Sequence, residues 1–381
     1  MIPFWQTNPN TGAGQVSFDL PLSDAGAGIV NITPLTSLGS PTPTFTRATT
    51  AYTLLSTGVW ALIASGSPRS IYSPAGIYLG YQAEGARANV LGGTDAIVRT
   101  MSDAGWVVGA TMTVGTSTGV DGGANACALL TGGAVAATNT ILFTTVLASA
   151  ARTYSVRVRR VSGTSAVNIT DNGGTNWTAM TLTATEQLFQ VTRTQANPVV
   201  GVQVEGNGDS VAVDFNTIEA AGFANPTPIP VNVSKAADLL TYAIAGNIVD
   251  ATGACYSEIT TVAPSATGKV LIGSTTGGQA INILATTNVL SAFDGTADRT
   301  LSAGITLPVT TPTKVATTWG GTALTGAVSG TTLAATFDGS MGFTGVLSIG
   351  NISGGMAWGS QKNIKIWPTA FSAAVLQALT T

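Results

Sequence analysis

Histidine is absent from this 381-residue chain, cysteine occurs twice, and charged residues make up only 9%. Without histidine the chain lacks the commonest general base and metal ligand, and with them every Ser-His or Cys-His nucleophile. Cys127 and Cys255 lie too far apart in sequence for a metal or redox motif, so two separate buried thiols are expected. The 15 Lys and Arg residues leave a net charge of −3, and their one dense cluster is Arg157, Arg159 and Arg160. A nucleic-acid reader needs a broad basic footprint, so that class is excluded. No apolar run approaches the roughly 18 residues of a membrane span. The start, MIPFWQTNPNTGAG, has neither the basic region nor the apolar run of a signal peptide.

Hydrophobic residues, at 44%, are ample for real cores. The place of charge, about 25% in an average chain, is taken by Thr, Ser, Ala, Asn and 46 Gly. Such a surface has few charged gatekeepers against edge-to-edge association. Permanent assembly with copies of itself, closed by symmetry, is one way to live with that, and a homotrimer is expected.

Three stretches follow along the chain. Residues 1–100 read as an extended arm with short strands, an attachment region opened by Pro3, Pro9, Pro21, Pro34, Pro41 and Pro43. Residues 101–230 read as an antiparallel β-sandwich of jelly-roll type. In TYSVRVRRV, Tyr154, Val156 and Val158 alternate with Arg157 and Arg159, the former expected inward and the latter outward. Asp171-Asn172-Gly173-Gly174 supplies a hairpin turn. Pro226–Pro230 reads as a linker, and residues 231–381 as a second sandwich. Its end, FSAAVLQALTT, puts Phe371, Val375, Leu376 and Leu379 on one face of a short helix capped by Ser372. The fold class is therefore all-β.

Several constellations were candidates for chemistry. Glu84 and Arg87 are spaced for an ion pair between subunits, for a sugar contact, or for an intrachain pair tethering the arm to the first sandwich. Asp171–Trp177 (DNGGTNW) is one residue longer than the Asp-box turn of propeller glycosidases and occurs once, so a hairpin turn is favoured. A glycosidase needs two carboxylates roughly 5–10 Å apart, for which Glu205 and Asp209, flanking a turn, and Asp214 and Glu219, on the next strand, are the candidates, though sandwich rims commonly carry such residues for turn chemistry. Asp294 and Asp298 are two oxygen ligands, too few for calcium, so no metal and no cofactor are expected. Trp177 and Trp358, both beside Gly-rich turns, are the candidate glycan-stacking residues.

PTFTRATTAY (43–52), followed by GIYLGYQAEGARANVL (76–91), resembles the segment opening many bacteriophage tail-fibre, head-fibre and minor structural proteins. Phe45, Thr46, Arg47, Ala48 and Thr49, then Glu84, Gly85, Ala86, Arg87, Asn89 and Leu91, carry the match. VSGTSAVNITDNGGTNWTAMTLT with IEAAGFANPTPIPV is similar to the carbohydrate-binding-module-like jelly roll that follows in such proteins. KNIKIWPTAFSAAVLQAL (362–379) is similar to the end of concanavalin A-like or laminin G-like sandwiches. The resemblance implies a virion fibre or decoration protein, non-enzymatic, docked on capsid or tail proteins through its N-terminal arm. It also implies adhesion to bacterial surface polysaccharide. A polysaccharide-depolymerising tailspike and a secreted bacterial lectin are the alternatives.

Overall fold

The computed structural model describes residues 15–220, 227–231, 234–261, 269–276, 279–284, 289–301, 307–308, 311–351 and 359–381. The fold is all-β, with 50% of the described residues in strands and 5% in helix. It divides into two compact units: Met1–Ala86 together with Ala236–Thr381, and Arg87–Lys235 between them in sequence. The boundaries expected at residues 100 and 230 therefore fall inside the second unit.

The discontinuous unit pairs a nine-stranded with a seven-stranded antiparallel sheet. Strands from the first 86 residues belong to both. Phe18–Leu20 pairs with the C-terminal strand Gly359–Trp367, as does Tyr78–Ala83. Thr44–Thr46 pairs with Leu239–Ala243 in the other sheet. The segment expected as an extended attachment arm is, from Ser17 onward, part of a sandwich. Phe18, Leu20 and Leu22 are fully buried in the core, with Phe18 edge-on to Tyr242 at 4.9 Å between ring centroids. A three-residue strand carries almost no periodic signal. It is held by partners some 346 positions away, as Asp19 opposite Lys365 shows.

The C-terminal helix Ala373–Thr380 forms as the sequence predicts. The Ser372 side chain accepts from the Val375 backbone N–H, capping the first turn. Leu376 and Phe371 pack on Trp367, Ala254, Tyr256 and Ala316 on the outer face of the nine-stranded sheet. Period-two alternation lets one strand serve both faces: Ala254 and Tyr256 meet the helix while Cys255 and Ile259 enter the core. A second helix, Asp95–Val98, is one turn capped by Thr94 and was not foreseen.

The continuous unit, 87–235, is a sandwich of two five-stranded sheets between which the chain crosses repeatedly. Tyr154, Val156 and Val158 face its core as expected, beside Val167, Val202 and Val213. Arg157, expected outward, lies on the other face and is buried there against Glu186. Cys127 and Cys255 are free and buried, one in each unit.

Candidate functional site

The two halves of the phage-like segment meet in a buried cluster of four charges. Arg47 Nη1 donates to Asp238 Oδ1 at 2.9 Å, and Arg69 Nη2 donates to Asp238 Oδ2 at 2.6 Å and Glu84 Oε2 at 3.1 Å. All four side chains are at most 1% exposed. Two guanidinium and two carboxylate groups leave the cluster formally neutral, which is what makes its burial tolerable. Burial opposes the charge on Arg69, but Asp238 and Glu84 outweigh it and hold that guanidinium above its ordinary range. Arg47 is pulled below its ordinary value by burial and by Arg69 beside it.

The cluster also stitches the backbone where the discontinuous unit is interrupted. Glu84 N–H donates to Asp238 Oδ2 at 3.1 Å, and Asp238 N–H donates to the Glu84 carbonyl at 2.9 Å. Two residues after Glu84 this unit's first segment ends, and Asp238 is the third residue of its second. Arg87 begins the continuous unit, where its backbone N–H donates to the Lys235 carbonyl at 2.8 Å and its Nε lies 3.9 Å from Glu219 Oε2. Glu84 and Arg87, nominated together, thus have distinct partners in the two units. Asp238 and Arg69 carry no sequence signal beyond being charged, and were missed.

Trp177 lies in the turn that the sequence predicts. Val167–Thr170 pairs with Thr178–Ala179, and Gly173 and Gly174 take positive φ values of 70° and 84°. Thr170 Oγ1 donates to the Asn176 carbonyl at 2.8 Å, while Asn172 Oδ1 accepts from the Asn176 N–H at 3.0 Å. The indole lies over Gly174, where a Cβ would come within 2.9 Å of the ring. Half-buried against its own turn, Trp177 braces the hairpin. Trp358, the other stacking candidate, lies outside the described residues. Trp60, Trp106, Trp319 and Trp367 are core residues.

The nominated carboxylates each have a partner. Asp214 accepts from Arg99 Nε at 2.8 Å and Nη2 at 2.9 Å, and the same guanidinium holds Asp121 at 2.8 and 2.9 Å. Glu219 is buried beside Arg87, and Glu205 accepts from Asn168 Nδ2 at 2.8 Å. Asp294 Oδ1 accepts from the backbone N–H groups of Thr296 and Ala297 at 2.9 and 3.0 Å, and Oδ2 accepts from Arg299 at 3.0 Å. Although burial acts against it, these bonds hold the Asp294 carboxyl well below the usual carboxylate range. It organises a turn.

One open groove of about 390 Å³ lies in the continuous unit. Its floor is Val167, Met180 and Leu182, which belong to or pack on the sandwich core. Its polar lining includes Arg160, Thr164, Ser165 and Thr181. Arg160 shares the parity of Tyr154, Val156 and Val158 and so sits at the end of the inward face of its strand. There its Nη2 donates to the Ser165 carbonyl at 2.9 Å, while Nη1 is buried without a hydrogen-bond partner. Asp209 Oδ2 stands 3.9 Å from Nη1 and accepts from the Ser165 N–H at 2.7 Å. That backbone bond and the Ser165 hydroxyl lower the Asp209 pKa. Gly163 is required beside it: its φ is +76°, and a Cβ would collide with the Asp209 carboxyl at 1.9 Å. The sequence signal for this groove was an arginine at an inward position, obscured by the two outward arginines next to it.

No family model matches the chain, and no curated protein matches it. Among solved structures it is similar to domain 4 of an extracellular GH43 arabinanase from Geobacillus stearothermophilus, in complex with arabinotriose. That likeness has 12% identity and a TM-score of 0.33 over 38% of this chain and 73% of that one. It is also similar to an N-terminal tandem of CBM22 domains from Paenibacillus barcinonensis, with 11% identity and a TM-score of 0.26 over 76% of this chain and 98% of that one.

Proposed function

We propose that this chain is a non-enzymatic structural subunit of a bacteriophage virion, a fibre or decoration protein that also adheres to host surface glycans. The observation that carries this reading is the coincidence of the phage-like segment with the buried charge cluster. Arg47 and Glu84, drawn from its two halves, share the partners Asp238 and Arg69. A segment whose distinctive residues build the root of one unit has a physical reason to recur among proteins of similar construction. The scarcity of charge, 9% of residues, favours a subunit that stays assembled, with a trimer as the proposed state.

Particles purified from a lysate of the phage encoding the chain supply the test. The chain is expected at a fixed copy number per capsid after density-gradient purification, in a multiple of three. Its presence only in the unsedimented fraction overturns the reading. The docking segment is sought separately: a chain beginning at residue 15 keeps the strand Phe18–Leu20, and its loss from particles would identify residues 1–14 as the anchor.

A further inference from the structure

We infer that the strand Gln187–Gln195 is a contact between two copies of this chain, paired edge to edge and antiparallel about a two-fold axis at Val191. The inference goes beyond the proposed function: a two-fold contact joins subunits in pairs, whether or not they also form trimers. The strand ends one of the two five-stranded sheets of the continuous unit, and among the described residues no strand lies beyond it. Its register with residues 150–158 is unbroken over all nine residues. Every other strand at a sheet edge among the described residues is between two and six residues long. Natural sheets blunt a long edge with Lys, Pro or a bulge. QLFQVTRTQ has none of these, and its one charge, Arg193, is held by Asp171 of the same chain at 3.0 Å.

The sequence of the strand selects a second copy as the occupant. Full antiparallel overlap about Val191 sets Gln187 opposite Gln195, Leu188 opposite Thr194 and Phe189 opposite Arg193, so no charge faces its own kind. A parallel, in-register pair would set Arg193 against Arg193. The inner face of the strand calls for the same cover. Phe189 and Val191 pack on the sandwich core yet are only half-buried. Arg193 Nε reaches Asp171 at the end of Val167–Thr170, so the strand lies over that part of the facing sheet, which stops at the two residues Thr178–Ala179. A sheet continued across the axis brings the second copy's Phe189 and Val191 onto this thinly covered rim and removes apolar surface of both copies from water.

Sedimentation of the purified full chain tests this. Val191→Lys sets two ammonium groups opposite each other at the axis and should halve the mass of the wild-type assembly. Val191→Cys should form an intermolecular disulfide under mild oxidation, since Cα atoms of opposite residues lie about 4.5–5.5 Å apart, within disulfide reach. Cys127 and Cys255 are buried and do not compete. Thr194→Cys, at an exposed position, should not cross-link, because its counterpart stands about 20 Å away along the paired strands. Circular dichroism checks that the variants stay folded; should Val191→Lys unfold, the two cysteine variants decide. A folded Val191→Lys chain with the wild-type mass, or cross-linking at Thr194 equal to that at Val191, overturns the inference. So does a monomeric wild type with no cross-link in Val191→Cys, the result expected if a strand of another protein covers this edge.

Discussion

Asp238 Oδ2 accepts from Arg69 Nη2 at 2.6 Å, and both side chains are fully buried although 169 positions separate them. The contact joins the segment before residue 87 to the segment after residue 235, and with Arg47 and Glu84 it makes one neutral cluster. Removing one member leaves an uncompensated buried charge, a loss worth about 3–5 kcal/mol. Asp238→Asn should lower the unfolding free energy of the discontinuous unit by about that much, read as a reduced midpoint in urea. A change within error would show that the cluster is not essential to this unit.

The division into units predicts unequal fragments. Residues 87–235 contain both sheets of their sandwich and a paired beginning and end, so this piece should unfold cooperatively on its own. Residues 236–381 lack the strands Phe18–Leu20, Thr44–Thr46 and Tyr78–Ala83 and should not fold. Dispersed amide resonances for the first fragment and collapsed ones for the second are the expected spectra.

Deleting residues 1–44 should cost the fold of the discontinuous unit, whatever it does to docking. Phe18, Leu20 and Leu22 are each 0% exposed, and burying such a side chain is worth about 1.5–3 kcal/mol. The truncated chain should lose the unfolding transition of this unit or become insoluble. An unaltered melting profile would contradict the packing described above.

Lys269 should give the protein a stability that rises with pH. Burial brings its ammonium down from 10.5 to about 8 in the folded chain. The unfolded state therefore binds more protons between those values, and stability climbs as pH passes from about 8 toward 10. The full effect is of order 3 kcal/mol. Lys269→Met should remove that slope, so the difference in melting temperature between the two proteins should shift steadily across the window. Parallel curves would refute this.

The strands of the continuous unit were legible because their residues alternate over long runs bounded by turns. Val156 and Val158 could only go inward, and the Asp171–Gly174 turn joined the strands it separates. The C-terminal helix was legible from its spacing and its cap. Arg157 went to the face that alternation assigns it, but alternation tells one face of a sheet from the other without saying that the second face would be covered.

Local pattern and composition thus determined the all-β class, the exclusion of histidine chemistry, the helix Ala373–Thr380 and most of the sandwich 87–235. Tertiary structure alone decided that the first 86 residues complete a sandwich with the last 146, because a strand as short as Phe18–Leu20 is stabilised by distant partners and leaves no period to read. It alone joined Arg47, Arg69, Glu84 and Asp238, since a buried charge declares its partners only in space.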